Sequence, residues 1–369
     1  DSIGGSYGLN QGGQAGSSTR GLIAGGSSNS APKEVEKIQF VTFASLGDAQ
    51  DFGDLVDQNG YANVGASSNT RALFAGGGNI GSPFVTVNTI QFVTIATTGN
   101  ATDFGDNTFL LRSMGACTNS LRAVYGGGND PSATLSTLSF VTIATTSNAT
   151  DFGDLTDEKR YHAGLSNQVR GLTAGGAGYP SPARTNIIDF VTIASEGNAQ
   201  DFGDLTQIRM ELAGASSPTR GLFMGGANPG VINRSNVVDF VTIATAGNAQ
   251  DFGDMAAIRN GLAATSNNTR AINAGGNEPG YLTDIEFFTI ASTGNGTDFG
   301  DLTDARGYQA SLSNSVRGLN AGGYDGSSAL NTIDFVIIAT TGNAKDFGDL
   351  LSINYGDSGS SDSHGGLTE

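Results

Sequence analysis

Short runs of apolar residues recur along the whole chain, and each run is bounded by Gly, Ser or Asn. The segment 205–254 contains four of them: Met210–Gly214, Arg220–Met224, Val238–Ile243 and Asp251–Asp254. Brief runs rich in β-branched and aromatic residues between turn-forming residues are typical of β-strands. Nowhere do apolar residues follow a helical period over the length of a helix. The pattern therefore predicts an all-β unit of four strands.

The third run of each unit gives the clearest alternation. In the run from Ile38 to Phe43, Ile38 and Phe40 fall on one face, and the other face carries a polar residue followed by an apolar one. This arrangement is typical of a sheet that is partly buried on both faces. We therefore expect Phe40 and its equivalents in the other units to pack in the core.

The four-strand unit is copied seven times. The tetrapeptide Asp-Phe-Gly-Asp recurs at intervals of 47 to 52 residues, beginning at Asp51, Asp103, Asp151, Asp201, Asp251, Asp298 and Asp346. A unit of this length cannot bury its apolar face alone and must stack on its neighbours. Closing the stack into a ring protects the sheet edges. We predict a single domain over residues 1–369, a seven-bladed β-propeller with four antiparallel strands per blade. An open solenoid is the alternative, but it needs polar capping repeats, and the terminal copies resemble ordinary repeats.

Both chain ends contain material for the same strand. The segment from Gln14 to Arg20 resembles a first strand and its turn, and the segment from Tyr355 to His364 aligns with the one that starts at Tyr308. Only one of them fits a closed ring, and we expect the carboxyl-terminal strand to close it. The terminal segments 1–13 and 353–369 either complete the ring or contact a neighbouring subunit, and the second case predicts a homo-oligomer.

Composition narrows the possible partners. The formal net charge is −17, which disfavours binding to nucleic acid and to anionic membranes. No apolar run is long enough for a spanning helix, so membrane insertion is not expected. The single cysteine, Cys117, excludes an intrachain disulfide framework.

The repeat resembles the kelch-type propeller in three features. A double glycine, such as Gly225-Gly226, ends the second strand, an aromatic residue such as Phe240 lies in the third, and Phe252 stands in the fourth, where kelch blades have Trp. The interval between the two aromatics is longer than in kelch blades, which implies a longer or differently registered hairpin.

The consensus sequence of the repeat, "SNxTRGLxAGG" followed by "DFVTIATTGNATDFGDL", is also similar to repeat proteins of marine tailed phages, especially cyanophages. That resemblance implies a structural or fibre protein of the virion.

Enzymatic chemistry finds little support in the sequence. Asp-Phe-Gly is also a kinase motif, but seven copies and a shortage of Lys contradict that function. The histidines, His162 and His364, occupy positions where other repeats have ordinary residues, so no nucleophile–base pair emerges. Two carboxylates per repeat are too few for a Ca²⁺ loop. A hydrolase with two Asp residues facing each other across a central channel stays an open alternative. We expect no enzyme activity, no metal and no cofactor.

An Arg begins the second strand of every unit: Arg20, Arg71, Arg122, Arg170, Arg220, Arg270 and Arg317. Seven equivalent arginines indicate a structural role. We expect them to pair with the Asp residues of the repeat or to bond to carbonyl groups of turns.

Antiparallel order places the variable stretches after the double glycine on one face, together with the links that follow Asp-Phe-Gly-Asp. Loops on a rigid scaffold commonly carry function. The candidate ligand- or partner-binding residues on this face are four aromatics and four arginines: Phe84, Tyr179, Tyr281, Tyr324, Arg160, Arg209, Arg259 and Arg306. The aromatics are suited to stacking on sugar rings, although free drift of these loops explains their variation equally well.

Two functions remain. The first is a non-enzymatic virion component that contacts other virion proteins or attaches to host-surface glycans, and the second is a secreted bacterial adhesin or lectin. Both predict a location on the virion or outside the cell.

Overall fold

A computed structural model describes residues 19–28, 35–57, 63–78, 85–178, 184–229 and 234–361 of the chain. Within these residues the secondary structure is all β, and the strands form seven four-stranded antiparallel sheets arranged in a ring. No helix of the described residues could span a membrane. The predicted seven-bladed β-propeller is confirmed.

We number the blades 1 to 7 in the order in which their second strands occur along the chain. The inner strands, in order from blade 1, are Ser358–Ser361, Val64–Ser67, Gly115–Thr118, Ala163–Ser166, Ala213–Ser216, Ala263–Ser266 and Ala310–Ser313. The second strands are Arg20–Ala24, Arg71–Ala75, Arg122–Gly126, Arg170–Ala174, Arg220–Met224, Arg270–Ala274 and Arg317–Ala321. The third strands are Lys37–Thr42, Thr89–Thr94, Thr137–Thr142, Ile187–Thr192, Ser235–Thr242, Asp284–Thr289 and Leu330–Ile337. The outer strands are Gln50–Asp54, Thr102–Asp106, Thr150–Asp154, Gln200–Asp204, Gln250–Arg259, Thr297–Asp301 and Lys345–Asn354.

The inner strand of blade 5 begins three residues later than the sequence pattern predicts. Glu211 has a positive φ of 58°, which turns the chain just before the strand. Met210 instead pairs with Ala227 in an isolated bridge. Met210 therefore belongs to the link between blades.

The carboxyl-terminal strand closes the ring, as predicted. Ser358–Ser361 pairs antiparallel with Arg20–Ala24, with Ser361 opposite Gly21 and Ser358 opposite Ala24. One detail of the sequence alignment is wrong by one residue. Ser358–Ser361 is equivalent to Ala310–Ser313, so the structural equivalent of Tyr355 is Gly307 rather than Tyr308.

The Asp-Phe-Gly-Asp motif joins each blade to the next. In blade 1, Phe52 is buried and packs edge-to-face on Phe40, with ring centroids 5.9 Å apart. The carbonyl of Phe52 accepts a 2.7 Å hydrogen bond from the amide of Gly99, which lies in the hairpin of blade 2. Gly53 lies against that hairpin, and a Cβ on it would come within 2.4 Å of the Gly99 carbonyl oxygen. The expected core position of Phe40 is confirmed, and Gly53 permits close contact between the two blades.

The motif also fixes its own strand. The carboxylate of Asp103 accepts a 2.9 Å hydrogen bond from the amide of Gly105, two residues ahead, at a bulge in the outer strand. The second Asp acts through its backbone, because the amide of Asp106 donates to the side chain of Asn148 in the following blade. In blade 2, the first Asp of the motif therefore acts through its carboxylate and the second through its backbone amide.

The seven repeat arginines bond to carbonyl groups, one of the two expected arrangements. Arg71 donates to the carbonyl of Ile143 in the next blade at 3.0 Å. Its guanidinium also lies over the ring of Phe92, 4.6 Å from the centroid. Arg317 makes the equivalent bond to Phe43 and so joins blade 7 to blade 1. Each arginine thus joins its own third strand to the neighbouring blade.

A belt of hydroxyl groups surrounds the axis at the last position of the inner strands. The hydroxyl of Ser216 donates to the carbonyl of Ser166 at 3.2 Å, and that of Ser266 donates to Ser216 at 2.8 Å. The same bond joins four more pairs of neighbouring blades: Ser67 to Ser361, Ser166 to Thr118, Ser313 to Ser266, and Ser361 to Ser313. The last position of the inner strand is Ser in six blades and Thr118 in blade 3.

Candidate functional site

The two faces of the ring differ in regularity. The turns between inner and second strands and between third and outer strands form one side, which we call the turn face. The stretches after the double glycine and the links into the next inner strand form the opposite side, which we call the loop face. The turn face repeats the same short hairpins, whereas the loop face contains the stretches whose sequences differ between blades.

The loop face presents different side chains on a repeated backbone. In several blades a link residue pairs with the residue after the double glycine, which pairs in turn with a residue at the end of the loop. These triplets are Arg112–Asn129–Thr134, Arg160–Ala177–Arg184, Asn260–Asn277–Tyr281 and Gly307–Tyr324–Ala329. The backbone contact is kept while the side chains change from arginine to asparagine to tyrosine. Equivalent positions therefore offer different chemistry around the ring.

Four tyrosines gather on the loop face where blades 6, 7 and 1 meet. The ring of Tyr281 packs edge-to-face on Tyr324 at a centroid distance of 5.6 Å and on Tyr308 at 6.5 Å. Tyr324 in turn lies 5.5 Å from Tyr355, with the two rings tilted by 48°. All four side chains are half-buried. We call Tyr281, Tyr308, Tyr324 and Tyr355 the tyrosine cluster.

Arg234 borders the tyrosine cluster. Its Nε donates to the side-chain oxygen of Asn260 at 3.0 Å, and its Nη2 donates to that of Asn277 at 2.5 Å. The Asn277 side chain also hydrogen-bonds Tyr281. Burial raises the pKa of Tyr281, and the nearby positive charge of Arg234 partly opposes that rise. Arg234 and the tyrosine cluster therefore form one continuous surface.

The structure brings together two of the four predicted aromatics and adds two others. Tyr281 and Tyr324 are in contact, whereas Phe84 and Tyr179 lie outside the described residues. Tyr308 and Tyr355 were missed because they precede inner strands rather than follow a double glycine. Their occurrence in links that contact the variable loops is the signal that would have identified them.

Three predicted loop-face arginines are not available at the surface. The side chains of Arg209, Arg259 and Arg306 are fully buried. Each pairs with a carboxylate in the third strand of the blade that follows it in the chain: Arg209 with Asp239 at 2.6 Å, Arg259 with Glu286 at 2.6 Å, and Arg306 with Asp334 at 2.7 Å. Because a buried charge needs a partner that compensates it, each arginine and its carboxylate satisfy one another in the interior. The interpretation of these arginines as ligand-binding residues is therefore corrected.

Arg160 differs from these three arginines. The residue equivalent to Arg209 is Lys159, which pairs with Asp189 at 2.5 Å in the interior. Arg160 is half-buried on the loop face, and its guanidinium lies over the ring of Tyr161 at 4.9 Å. Of the four predicted arginines, only Arg160 lies where a ligand is able to approach.

Two buried titratable groups near the axis have displaced pKa values. Burial raises the pKa of Asp357 to about 8, against the opposing effect of the backbone amides of Asp357 and Ala310. Burial lowers the pKa of His162 to about 3, and the neighbouring Lys159 lowers it further. The two residues belong to blades 1 and 4 and do not form a catalytic pair. Among the residues that the structure covers, no group of His, Cys, Asp or Glu converges as a metal site.

Comparison of the chain with protein-family models and with curated proteins gives no match.

Proposed function

We propose that this protein is a non-enzymatic binding propeller of a phage particle, which attaches to a host-surface glycan or to other virion proteins through its loop face. The observation that carries the proposal is the contrast between a repeated framework and the side chains of the loop face. The arginine–carbonyl bonds between blades and the hydroxyl belt recur around the ring, whereas equivalent loop-face positions change between arginine, asparagine and tyrosine.

The tyrosine cluster supplies the physical basis for binding. Half-buried tyrosines offer a large contact area at a low cost in side-chain entropy, because packing already holds their rings. Four of them in contact form a broad aromatic surface, which suits protein partners and sugar rings alike. A binding role is favoured over hydrolysis because the inner strands contain no Asp or Glu.

The assignment to a virion rests on the resemblance of the repeat to phage structural proteins. A secreted bacterial adhesin or lectin is the second candidate, because the tyrosine cluster suits glycan binding in either setting. The two functions differ in where the protein is found.

Mass spectrometry of density-gradient fractions from the source material separates these candidates. We expect peptides of this protein to co-migrate with intact particles, in fixed proportion to the major capsid protein. Their presence only in a soluble or cell-surface fraction would contradict the virion assignment and favour the adhesin.

A binding assay tests whether the loop face is the surface that recognises the partner. Replacing Tyr281 and Tyr324 together by Ala should reduce attachment to host cells or particles at least tenfold. The matched control replaces Val169 and Val316, which are 59% and 53% exposed on the turn face, by Ala. Equal binding by both double variants would refute the loop face as the recognition surface.

A further inference from the structure

We infer that the surface formed by the tyrosine cluster and Arg234 binds an acidic polysaccharide, with sugar rings on the tyrosines and a carboxylate or sulfate at the guanidinium. This inference rests on the proposed function and specifies the ligand class of the loop face.

The first support is the way in which Arg234 is held. Its Nε and Nη2 donate to the amide oxygens of Asn260 and Asn277, and both acceptors are neutral. The Nδ2 of Asn260 donates in turn to Glu211 at 2.6 Å, so the nearest bonded carboxylate is one residue away. The guanidinium forms no ion pair with any described carboxylate. Its plane is fixed while its positive charge is retained, which is the condition for recognising an anion.

The second support is the contrast with the buried arginines. Arg209, Arg259 and Arg306 each meet a carboxylate in the interior. Arg234 instead is half-buried on a protein whose formal net charge is −17. The protein is rich in carboxylates, yet Arg234 is held by two neutral amide side chains and not by an acid. Its positive charge therefore suits an anionic group of a bound ligand.

The third support is the position of the aromatic rings. Asn277 bonds both Arg234 and Tyr281, so the guanidinium directly borders the tyrosine cluster. Tyr281 leads to Tyr324 and then to Tyr355, with centroid distances of 5.6 and 5.5 Å. Aromatic faces are electronegative and attract the weakly positive C–H groups of a sugar ring. A row of rings that ends at a cation matches a chain of sugars with acidic substituents.

The carboxylate of Asp325 lies near the tyrosine cluster and opposes an anionic ligand. Asp325 acts electrostatically on Tyr281, although its Oδ1 is occupied by the amides of Ser327 and Ser328 in its own turn. Because an Asn side chain keeps an oxygen for those amides, Asp325→Asn removes the charge and retains the turn. We expect this variant to bind acidic polysaccharides more tightly and neutral ones unchanged.

The test uses polysaccharide pairs that differ in charge: polygalacturonate and its full methyl ester, alginate and its propylene glycol ester, and κ-carrageenan and agarose. Binding of the full chain to each is measured by affinity electrophoresis and calorimetry. We expect at least one acidic member to bind, and its neutral counterpart to bind at least tenfold more weakly. Arg234→Gln should remove most of that preference, whereas Arg234→Lys should restore part of it.

The remaining outcomes separate the inference from the proposed function. Equal binding to charged and neutral members, lost in the Tyr281 and Tyr324 double variant, would overturn the acidic ligand and leave the loop face as a glycan site. Failure of all three acidic polysaccharides to bind would overturn the inference. The cell and particle assay then decides the proposed function independently. Unfolding temperatures of every variant, compared with the parent, show whether a loss of binding reflects a loss of fold.

Discussion

At the scale of single residues, the buried ion pairs follow a rule: the link position and the third-strand position of a blade are either both charged or both neutral. Blades 4 to 7 have Lys or Arg in the link and Asp or Glu in the third strand, as in Lys159–Asp189 and Arg209–Asp239. Blade 3 has Leu111 and Ser139 at the same positions, and blade 1 has Asn354 and Gln39. The two positions change together because a buried charge needs a partner and a neutral residue does not.

The ion pair of blade 5 provides a direct test. Arg209→Leu leaves the carboxylate of Asp239 buried and uncompensated, and we expect it to lower the free energy of unfolding by about 3–5 kcal/mol. Adding Asp239→Ser reproduces the combination found in blade 3 and should recover most of the loss. Denaturant unfolding of the parent, the single variant and the double variant measures both effects. A double variant less stable than the single one would contradict the pairing rule.

Asp357 makes stability depend on pH. Its carboxyl group has a pKa of about 8 in the folded protein, above the ordinary value for Asp. Between about pH 4 and pH 8 the unfolded chain releases this proton while the folded chain keeps it, so stability falls as pH rises. The slope is on the order of 1.4 kcal/mol for each pH step in that interval. Asp357→Asn, which introduces the residue found at the equivalent position of blade 2, Asn63, should flatten that part of the stability profile. An unchanged profile would show that Asp357 is ionised in the folded state.

At the scale of the element, the outer strand depends on its glycine. A Cβ on Gly203 would come within 2.5 Å of the Gly247 backbone in the next blade, so Gly203→Ser must push two blades apart. We expect a loss of several kcal/mol, within the range of a steric clash in a packed core. Gly247→Ser is the matched control, because Ser147 already stands at that position in blade 3. Thermal unfolding should separate the two variants clearly, and equal unfolding temperatures would argue against a close contact at this point.

The hydroxyl belt has an internal control of its own. Ser216→Ala removes a buried bond and leaves the Ser166 carbonyl without that donor, so we expect a cost of about 1 kcal/mol. The Oγ1 of Thr118 has no partner among the described residues, and Thr118→Val should therefore be close to neutral. Chemical denaturation measures both. A similar cost for the two substitutions would mean that side-chain packing, rather than hydrogen bonding, holds the inner strands.

The strands were predictable because the apolar runs and the turn residues that bound them are repeated seven times, and because seven such units fit a closed ring. The buried role of Arg209 was not, because it depends on pairing a link residue with a third-strand residue 30 positions away. The tyrosine cluster was only half predictable for a similar reason. Tyr281 and Tyr324 follow double glycines, whereas Tyr355 reaches the cluster only through the register that places Ser358–Ser361 beside Arg20–Ala24.

At the scale of the whole molecule, one short strand joins the two ends of the chain and positions the site. Ser358–Ser361 supplies the inner strand of blade 1, and the hydroxyls of Ser67 and Ser361 carry the belt across it. Tyr355, three residues before that strand, is a member of the tyrosine cluster. Ring closure and the candidate site are therefore coupled.

Removing residues 353–369 tests this coupling. The truncated chain loses the inner strand of blade 1 and exposes the edge of Arg20–Ala24, so its unfolding temperature should fall by many degrees. Tyr355→Ala in the full chain keeps the strand and should change ligand binding far more than stability. If truncation left thermal unfolding unchanged, the carboxyl-terminal strand would not be what closes the ring.

Size-exclusion chromatography of the full and truncated chains tests a second arrangement. If the full chain formed oligomers that dissociated on truncation, the strand would close the ring of a neighbouring subunit.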